Sequence, residues 1–264
     1  MQDLHLTLIQ SDIHWHQVEA NLAAFEEKIW RAEDSDIILL PEMFNTGFSM
    51  EARKYAERMN GKTFKWMGNM AEQSKAVIIG SYIVREGSDY YNRLIFMRPS
   101  GEFTIYDKRH LFRMTGENGN FSAGTDIVIN SEKGWNINAL ICYDLRFPVW
   151  SRNRFDRANR SFSYDLLIYI ANWPAVRISA WDILLKARAV ENMCYVVGLN
   201  RIGTDGNGIL YNGHSNIVDP KGRSFMDDRE DEFIGRYTLS AGELISYREK
   251  FPVQMDFDTF KIKT

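Results

Sequence analysis

Short apolar runs, four to eight residues long and bounded by polar or turn-forming residues, recur along the chain. They are Leu4 to Gln10, Ile37 to Leu40, Val77 to Val84, Arg93 to Arg98, Ile137 to Cys142, Leu166 to Ala171, Tyr195 to Asn200 and Ser215 to Asp219. Runs of this length, rich in β-branched residues, predict strands. Between them, Val18 to Ala32 and Ala180 to Asn192 carry helical periodicity, the second placing Trp181, Leu184, Leu185 and Arg188 at three- and four-residue steps. Strands that alternate with helices predict an α/β protein.

Two turns join neighbouring strands. Arg98-Pro99-Ser100-Gly101 puts proline second and glycine fourth, leading the chain into a strand from Phe103 to Tyr106, and Asp219-Pro220-Lys221-Gly222 repeats that chemistry between Ile217 and Phe225. No low-complexity linker or internal repeat interrupts the pattern, so residues 1–264 are expected to form a single domain.

Composition narrows the function. Of the 264 residues, 45% are hydrophobic and 25% charged, and 32 basic against 35 acidic side chains leave a net charge of -3, which removes the general electrostatic case for binding nucleic acid. The Arg152 to Arg160 segment holds four arginines and Asp156 with only Phe155 apolar in its middle, not the pattern of interleaved aromatics that base stacking uses, and is expected to be a solvated helix or loop. No run approaches the roughly 18 apolar residues of a membrane span, and Met1 to Gln10 reads as a strand, not a signal peptide. A cytoplasmic protein is expected. Two cysteines, Cys142 and Cys194, are too few for a disulfide scaffold or a thiolate zinc site. Only His14 and His16 among the five histidines are close in sequence, without an acidic or cysteine partner at ligand spacing, so no metal or other cofactor is expected.

Three reactive side chains share one context, the end of an apolar strand. Ile37 to Leu40 runs through Pro41 into Glu42, Ile105-Tyr106-Asp107 runs into Lys108, and Ala139-Leu140-Ile141 runs into Cys142. Ligands of open α/β sheets gather outside the carboxyl ends of strands. Each residue alone fits a structural role, and a thiol with a pKa of about 8.5 is a poor nucleophile at neutral pH. Together they supply acyl-transfer chemistry without histidine. The carboxylate takes the thiol proton and later returns it to a leaving amine, while the ammonium favours the thiolate and then the oxyanion.

These motifs resemble the nitrilase superfamily of carbon-nitrogen hydrolases. The resemblance rests on Leu40-Pro41-Glu42-Met43-Phe44, Tyr106-Asp107-Lys108-Arg109-His110-Leu111-Phe112 and Leu140-Ile141-Cys142-Tyr143-Asp144-Leu145-Arg146-Phe147-Pro148. It continues through Ala171-Asn172-Trp173-Pro174, Lys186 to Asn192 and Tyr211-Asn212-Gly213-His214-Ser215. It implies a four-layer α-β-β-α sandwich that assembles as a homodimer or higher homo-oligomer. It also implies Glu42 as general base and acid, Lys108 as oxyanion stabiliser, Cys142 as nucleophile and the Tyr143 N–H as second oxyanion donor. For the further glutamate that members often carry after the lysine, Glu117 is the candidate, against an exposed loop carboxylate.

Within the superfamily, Phe44 to Phe48, His110 to Met114 and Cys142 to Phe147 look most like the omega-amidase group. That implies hydrolysis of the terminal amide of 2-oxoglutaramate or 2-oxosuccinamate to a dicarboxylate and ammonia. N-carbamoyl amino acids and nitriles are the alternative substrates, and a catalytically silent scaffold is the alternative to an enzyme. The α-carboxylate of such a substrate needs a cation. Arg113, Arg146 and Arg177 lie near the site motifs, and Arg177, five residues after Asn172, is the first choice. Arg146 is expected to brace its loop through an ion pair. Trp173 fits either a pocket wall or the core. His214 is expected to be a hydrogen-bonded strand residue and Cys194 an inert buried thiol.

Overall fold

Alternation along the strands decides which face each residue serves. In the strand Leu4–Gln10, Leu4, Leu6 and Leu8 belong to one apolar cluster and Ile9 to another. Ile37 and Leu39 part from Ile38 in the same way, Val77 and Ile79 from Ile78, and Leu94 and Phe96 from Ile95 and Met97. The computed structural model describes residues 1–262 and assembles these segments into a seven-stranded sheet. Its strands run in the order Phe233–Leu239, Leu4–Gln10, Ile37–Leu39, Val77–Glu86, Asp89–Met97 and Phe103–Asp107, with Glu57–Arg58 also paired to Val77–Glu86.

The second sheet has five strands, in the order Asn216–Val218, Tyr195–Asn200, Leu166–Ala171, Trp135–Ile141 and Ile129–Glu132. Its inner residues, among them Ile137, Ala139 and Ile168, share a cluster with the Leu4, Leu6 and Leu8 set, so the two sheets meet face to face. Helices Val18–Trp30 and Lys62–Ser74 cover the outside of the first sheet through Leu22, Phe25, Ile29, Met67 and Met70. Helix Ile178–Asn192 covers the outside of the second through Trp181, Leu185 and Ala189. The result is the expected four-layer α-β-β-α sandwich.

Strand direction creates the working edge. Ile37–Leu39 and Val77–Glu86 run parallel. Two antiparallel steps, to Asp89–Met97 and on to Phe103–Asp107, return the chain to that same direction. Trp135–Ile141, Leu166–Ala171 and Tyr195–Asn200 are likewise mutually parallel. The residues that follow Leu39, Asp107, Ile141 and Ala171 can therefore converge.

Strands Leu4–Gln10, Leu166–Ala171 and Tyr195–Asn200 have the expected limits. Both turns close as expected, Gly101 N–H donating to the Arg98 carbonyl at 3.0 Å and Gly222 N–H to that of Asp219 at 2.9 Å. Helices Lys62–Ser74 and Ala241–Lys250 and the edge strand Phe233–Leu239 were not foreseen. The strand's Gly235, Arg236 and Thr238 dilute its apolar signal. The arginine-rich segment is neither helix nor plain loop, because Phe155–Asp156 pairs with Ser161–Phe162 as a small hairpin. Arg154, Arg157 and Arg160 are exposed, whereas Arg152 stacks 4.2 Å from the Phe257 ring centre. His214 sits in the loop before Asn216–Val218, not in a strand, with φ +58° and its ring 3.2 Å from Asp182. Cys194 is fully buried, and burial pushes its thiol pKa up. No helix among the described residues is long and apolar enough to cross a membrane.

Gly198 shows how closely helix and sheet approach. A Cβ there would lie 2.6 Å from Leu185 Cδ1 and 2.7 Å from Trp181 Cζ2. Gly198→Ala is expected to cost about 1–3 kcal/mol by overpacking. In Leu185→Ala, which alone costs about 2–5 kcal/mol, the same methyl enters a void. Urea titrations of both single variants and the double variant should show the double costing less than the sum, and strict additivity would refute the contact.

Candidate active site

The site lies at the carboxyl edge where the sheets meet. Lys108, at the end of Phe103–Asp107, is fully buried with Glu42 and Glu117. Its Nζ lies 2.8 Å from Glu42 Oε1, 3.0 Å from both Glu117 oxygens and 4.9 Å from the Phe48 ring centre. Burial alone would favour the neutral amine, but Glu117 and then Glu42 outweigh it and hold the lysine pKa well above its ordinary value. The ammonium is permanent. Burial raises the Glu117 pKa, opposed by Lys108 and assisted by the negative charge of Glu42.

The remaining valences of the two carboxylates are filled. Asn92 Nδ2 donates to Glu42 Oε1 at 2.8 Å, and the Asn172 N–H donates to Glu42 Oε2 at 2.8 Å. Phe112 N–H donates to Glu117 Oε2 at 2.5 Å. Asn92 is set in turn by the Ser81 hydroxyl, which donates to its Oδ1 at 2.9 Å while accepting from the Met43 N–H. Sequence reasoning missed Asn92, which lies just before the run that begins at Arg93 and beside that charged residue, with no signal of its own.

Cys142 opens the short 3₁₀ turn Cys142–Arg146 that follows strand Trp135–Ile141. Its φ of +45° is in the left-handed region, costly for a residue with a Cβ, and Met43 beside Glu42 shares that strain at +43°. Asp144 holds the nucleophile turn. Its buried carboxylate accepts from the Ile141 N–H at 3.1 Å, the Tyr106 hydroxyl at 2.7 Å and the His110 N–H at 3.0 Å. Arg188, three per cent exposed, fixes the turn from the helix side by donating to the Leu145 carbonyl at 2.6 Å.

Lys108 favours the Cys142 thiolate, as expected, but other influences outweigh it. Burial pushes the Cys142 pKa well up, the Glu42 charge adds to it, and Lys108 only partly opposes them. The balance holds the Cys142 side chain toward the thiol.

A cavity of about 540 Å³ opens above Cys142 and Lys108. Tyr143, Trp173, Arg146 and Arg177 line it, as do Trp15, Phe48 and Ile209 from other loops. Trp173 belongs both to the wall and to the core, three per cent exposed, with its Nε1–H donating to the Arg177 carbonyl at 2.9 Å. Arg177 is half-buried over the Phe112 ring, 5.4 Å from its centre. Arg146 makes no ion pair among the described residues; its guanidinium stacks 4.9 Å from the Trp173 ring centre and faces the cavity. Arg113 is exposed and lies off the lining. Among the described residues, the group with ligand atoms close enough for a cation is Asp182, His214 and Asp228, none of which lines the cavity.

Two facing sheets in this sandwich, with a carboxylate, an ammonium and a thiol at their common edge, define the nitrilase class of amide hydrolases. The chain belongs to the carbon-nitrogen hydrolase family, whose model matches residues 5–248. It is 43% identical to the omega-amidase YafV of Escherichia coli (strain K12), over 99% of this chain and 100% of that protein. It is 31% identical to a 2-oxoglutaramate amidase of Bacillus subtilis (strain 168), over 94% and 95% of the two. The crystal structure of XC1258 from Xanthomonas campestris, a CN-hydrolase superfamily protein with an arsenic adduct in the active site, superposes with a TM-score of 0.97 at 40% identity, covering both chains in full. The protein is therefore an enzyme acting on amides.

Two outcomes test the electrostatics. Lys108→Met leaves two buried carboxylates without their cation, and should lower stability by about 3–5 kcal/mol in urea titration; an unchanged midpoint would show that the triad carries no such coupling. Glu42→Gln removes the negative charge next to the thiol, so the Cys142 pKa should fall even as amidase activity is lost. Thiolate absorbance at 240 nm reads that shift while Cys194 stays silent, and a midpoint at or above that of the wild type would refute the assignment.

Proposed function

We propose that the protein is an omega-amidase that hydrolyses the terminal amide of a small 2-oxo acid amide, 2-oxoglutaramate or 2-oxosuccinamate, to a dicarboxylate and ammonia. The observation that carries this reading is a cavity with Lys108 and Cys142 at its floor, Glu42 buried beneath on Lys108, and the guanidinium groups of Arg146 and Arg177 on its wall. A short amide with a carboxylate at its other end matches both poles. The similarity to omega-amidase YafV and to 2-oxoglutaramate amidase supports it. Residues 1–264 act as one catalytic domain, since the reacting groups come from both sheets.

In this reading Glu42 accepts the Cys142 proton as sulfur attacks the amide carbon. The developing oxyanion is met by the Lys108 ammonium and the Tyr143 N–H, donors worth about a hundred- to thousandfold each in rate. Glu42 then gives its proton to the amide nitrogen, ammonia leaves, and the acyl group remains on Cys142 as a thioester. A water loses its proton to Glu42 and adds to the thioester carbon. Collapse expels the sulfur, which recovers the proton, and releases the acid. Glu117, held on Lys108 Nζ, keeps the ammonium in place through both tetrahedral stages. Arg177 binds the α-carboxylate, with Arg146 second to it and Trp173 as the wall between.

Rapid-quench mass spectrometry with 2-oxoglutaramate should trap a covalent acyl adduct on Cys142. Cys142→Ala should release no ammonia, and release at the wild-type rate would end the thiol mechanism. Arg177→Ala should raise KM for 2-oxoglutaramate by about tenfold or more, the loss of a charge-assisted contact of about 1.5–3 kcal/mol; an unaltered KM would remove Arg177 from that role. A panel that separates ammonia from carbon dioxide release, and includes nitriles, distinguishes the omega-amide from the other substrates.

A further inference from the structure

His14-Trp15-His16 joins no part of the reaction described above, yet Trp15 lines the catalytic cavity. The His16 ring is sandwiched between Trp15 and Tyr55, each centre 4.1 Å away. Its Nε2 lies 2.7 Å from Ser49 Oγ, and its backbone N–H donates to the Thr46 carbonyl at 2.9 Å. Ser49 Oγ also accepts from the Glu51 N–H at 3.1 Å. Three contacts thus tie His16 to the segment from Thr46 to Tyr55, which supplies Phe48, Ser49, Met50 and Glu51 to the cavity wall.

Trp15 reaches a second wall. A Cβ at Gly47 would lie 2.9 Å from Trp15 Cε3, and one at Gly206 would lie 2.2 Å from Cδ1 and Nε1. The indole is therefore wedged between the Thr46 to Tyr55 segment and the loop joining Ile202–Thr204 to Leu210–Asn212. That loop gives Asp205, Asn207 and Ile209 to the same cavity. The base of the wedge is pinned as well, since the buried Arg201 Nη2 donates to Asp12 Oδ1 at 2.6 Å.

We propose that Trp15 and His16 form a clip that fixes the two walls of the substrate mouth against each other, so that Trp15 sets substrate fit and His16 is a positioning residue acting through it. Neither reaches the bonds that break. The clip controls how well the amide is seated, while Glu42, Lys108 and Cys142 keep their own geometry. His16 adopts φ +59°, a conformation asparagine tolerates better than most residues, so Asn is the conservative replacement that keeps both the turn and a polar partner for Ser49. Burial lowers the His16 pKa, with Lys54 adding to the effect and Glu51 opposing it, so the ring at neutral pH is the uncharged partner of Ser49.

The test compares KM and kcat for whichever primary amide the wild-type enzyme hydrolyses fastest, so failure of the 2-oxoglutaramate reading leaves it intact. His16→Ala should raise KM about tenfold, the scale of one lost hydrogen bond and its packing, with kcat within about twofold of wild type. His16→Asn should recover most of the loss. Gly206→Ala attacks the clip from the opposite wall by displacing the Trp15 ring, and should raise KM in the same way. Combined with His16→Ala it should add little, because both loosen one element. A fall in kcat with KM unchanged, or full additivity of the two variants, would overturn the proposal. Should His16→Ala fail to fold, Gly206→Ala in an exposed loop still reads KM against kcat, and a fall in kcat with KM unchanged would again overturn the proposal.

Discussion

The structure turns on one ammonium group in a place without water. Lys108 Nζ is wholly buried, and an unpaired charge there would cost several kcal/mol. The fold answers with two carboxylates at 2.8 and 3.0 Å, and these need partners of their own. Asn92, Asn172 N–H and Phe112 N–H supply them. Each partner comes from a different segment, so satisfying one charge ties together the first sheet, the second sheet and the loop that carries Glu117. Burial first, and the charge of Glu42 with it, press the Cys142 thiol toward its neutral form against the pull of Lys108, so in the proposed reaction reactivity depends on moving a proton to Glu42.

Among the polar connections across the seam between the sheets, those of Asn172 and Asp144 lie at the site. The Asn172 N–H, at the end of a second-sheet strand, donates to Glu42 at 2.8 Å, and Asp144, in the nucleophile turn, accepts from Tyr106 of the first sheet at 2.7 Å. Between them lies an apolar interface that includes Cys142 itself. The distance from base to nucleophile is therefore set by inter-sheet packing as much as by either turn. Interiors packed at crystal-like density hold such a distance well, because sliding one sheet on the other would open voids on both sides.

Much of this was legible in the chain. Glu42, Lys108 and Cys142 stood out because each ends an apolar strand, and parallel direction brings such ends to one edge. The inner and outer residues of Leu4–Gln10 could be read from alternation alone. The four-layer arrangement and the candidacy of Glu117 came from resemblance, since no local pattern shows that two sheets face each other or that a residue in a short helix folds back onto a lysine. Arg146 was misjudged for a related reason. Its neighbour in space is the Trp173 ring, 27 positions away in the chain, and sequence spacing near a charged motif suggests an ion pair when the actual partner is an aromatic face. Asn92 was missed because its importance lies in the direction its side chain faces within a strand, which depends on where Glu42 ends up.

The cavity walls obey a different logic from its floor. Floor residues sit at strand ends, where hydrogen-bonded ladders fix the backbone, and strained φ values at Cys142 and at Met43, the neighbour of Glu42, are ones that only a rigid surround maintains. The walls come from the loops around Phe48, Met114, Val176 and Ile209, of which Met114 is 75% and Val176 82% exposed. Loops of that kind have few ladder bonds to hold them, so their positions depend on side-chain contacts between loops. A rigid floor under adjustable walls separates the two tasks physically. In the proposed reaction, bond making stays with groups buried from water and locked by mutual charge, while substrate choice resides in aromatic, apolar and guanidinium surfaces that can change without disturbing the triad.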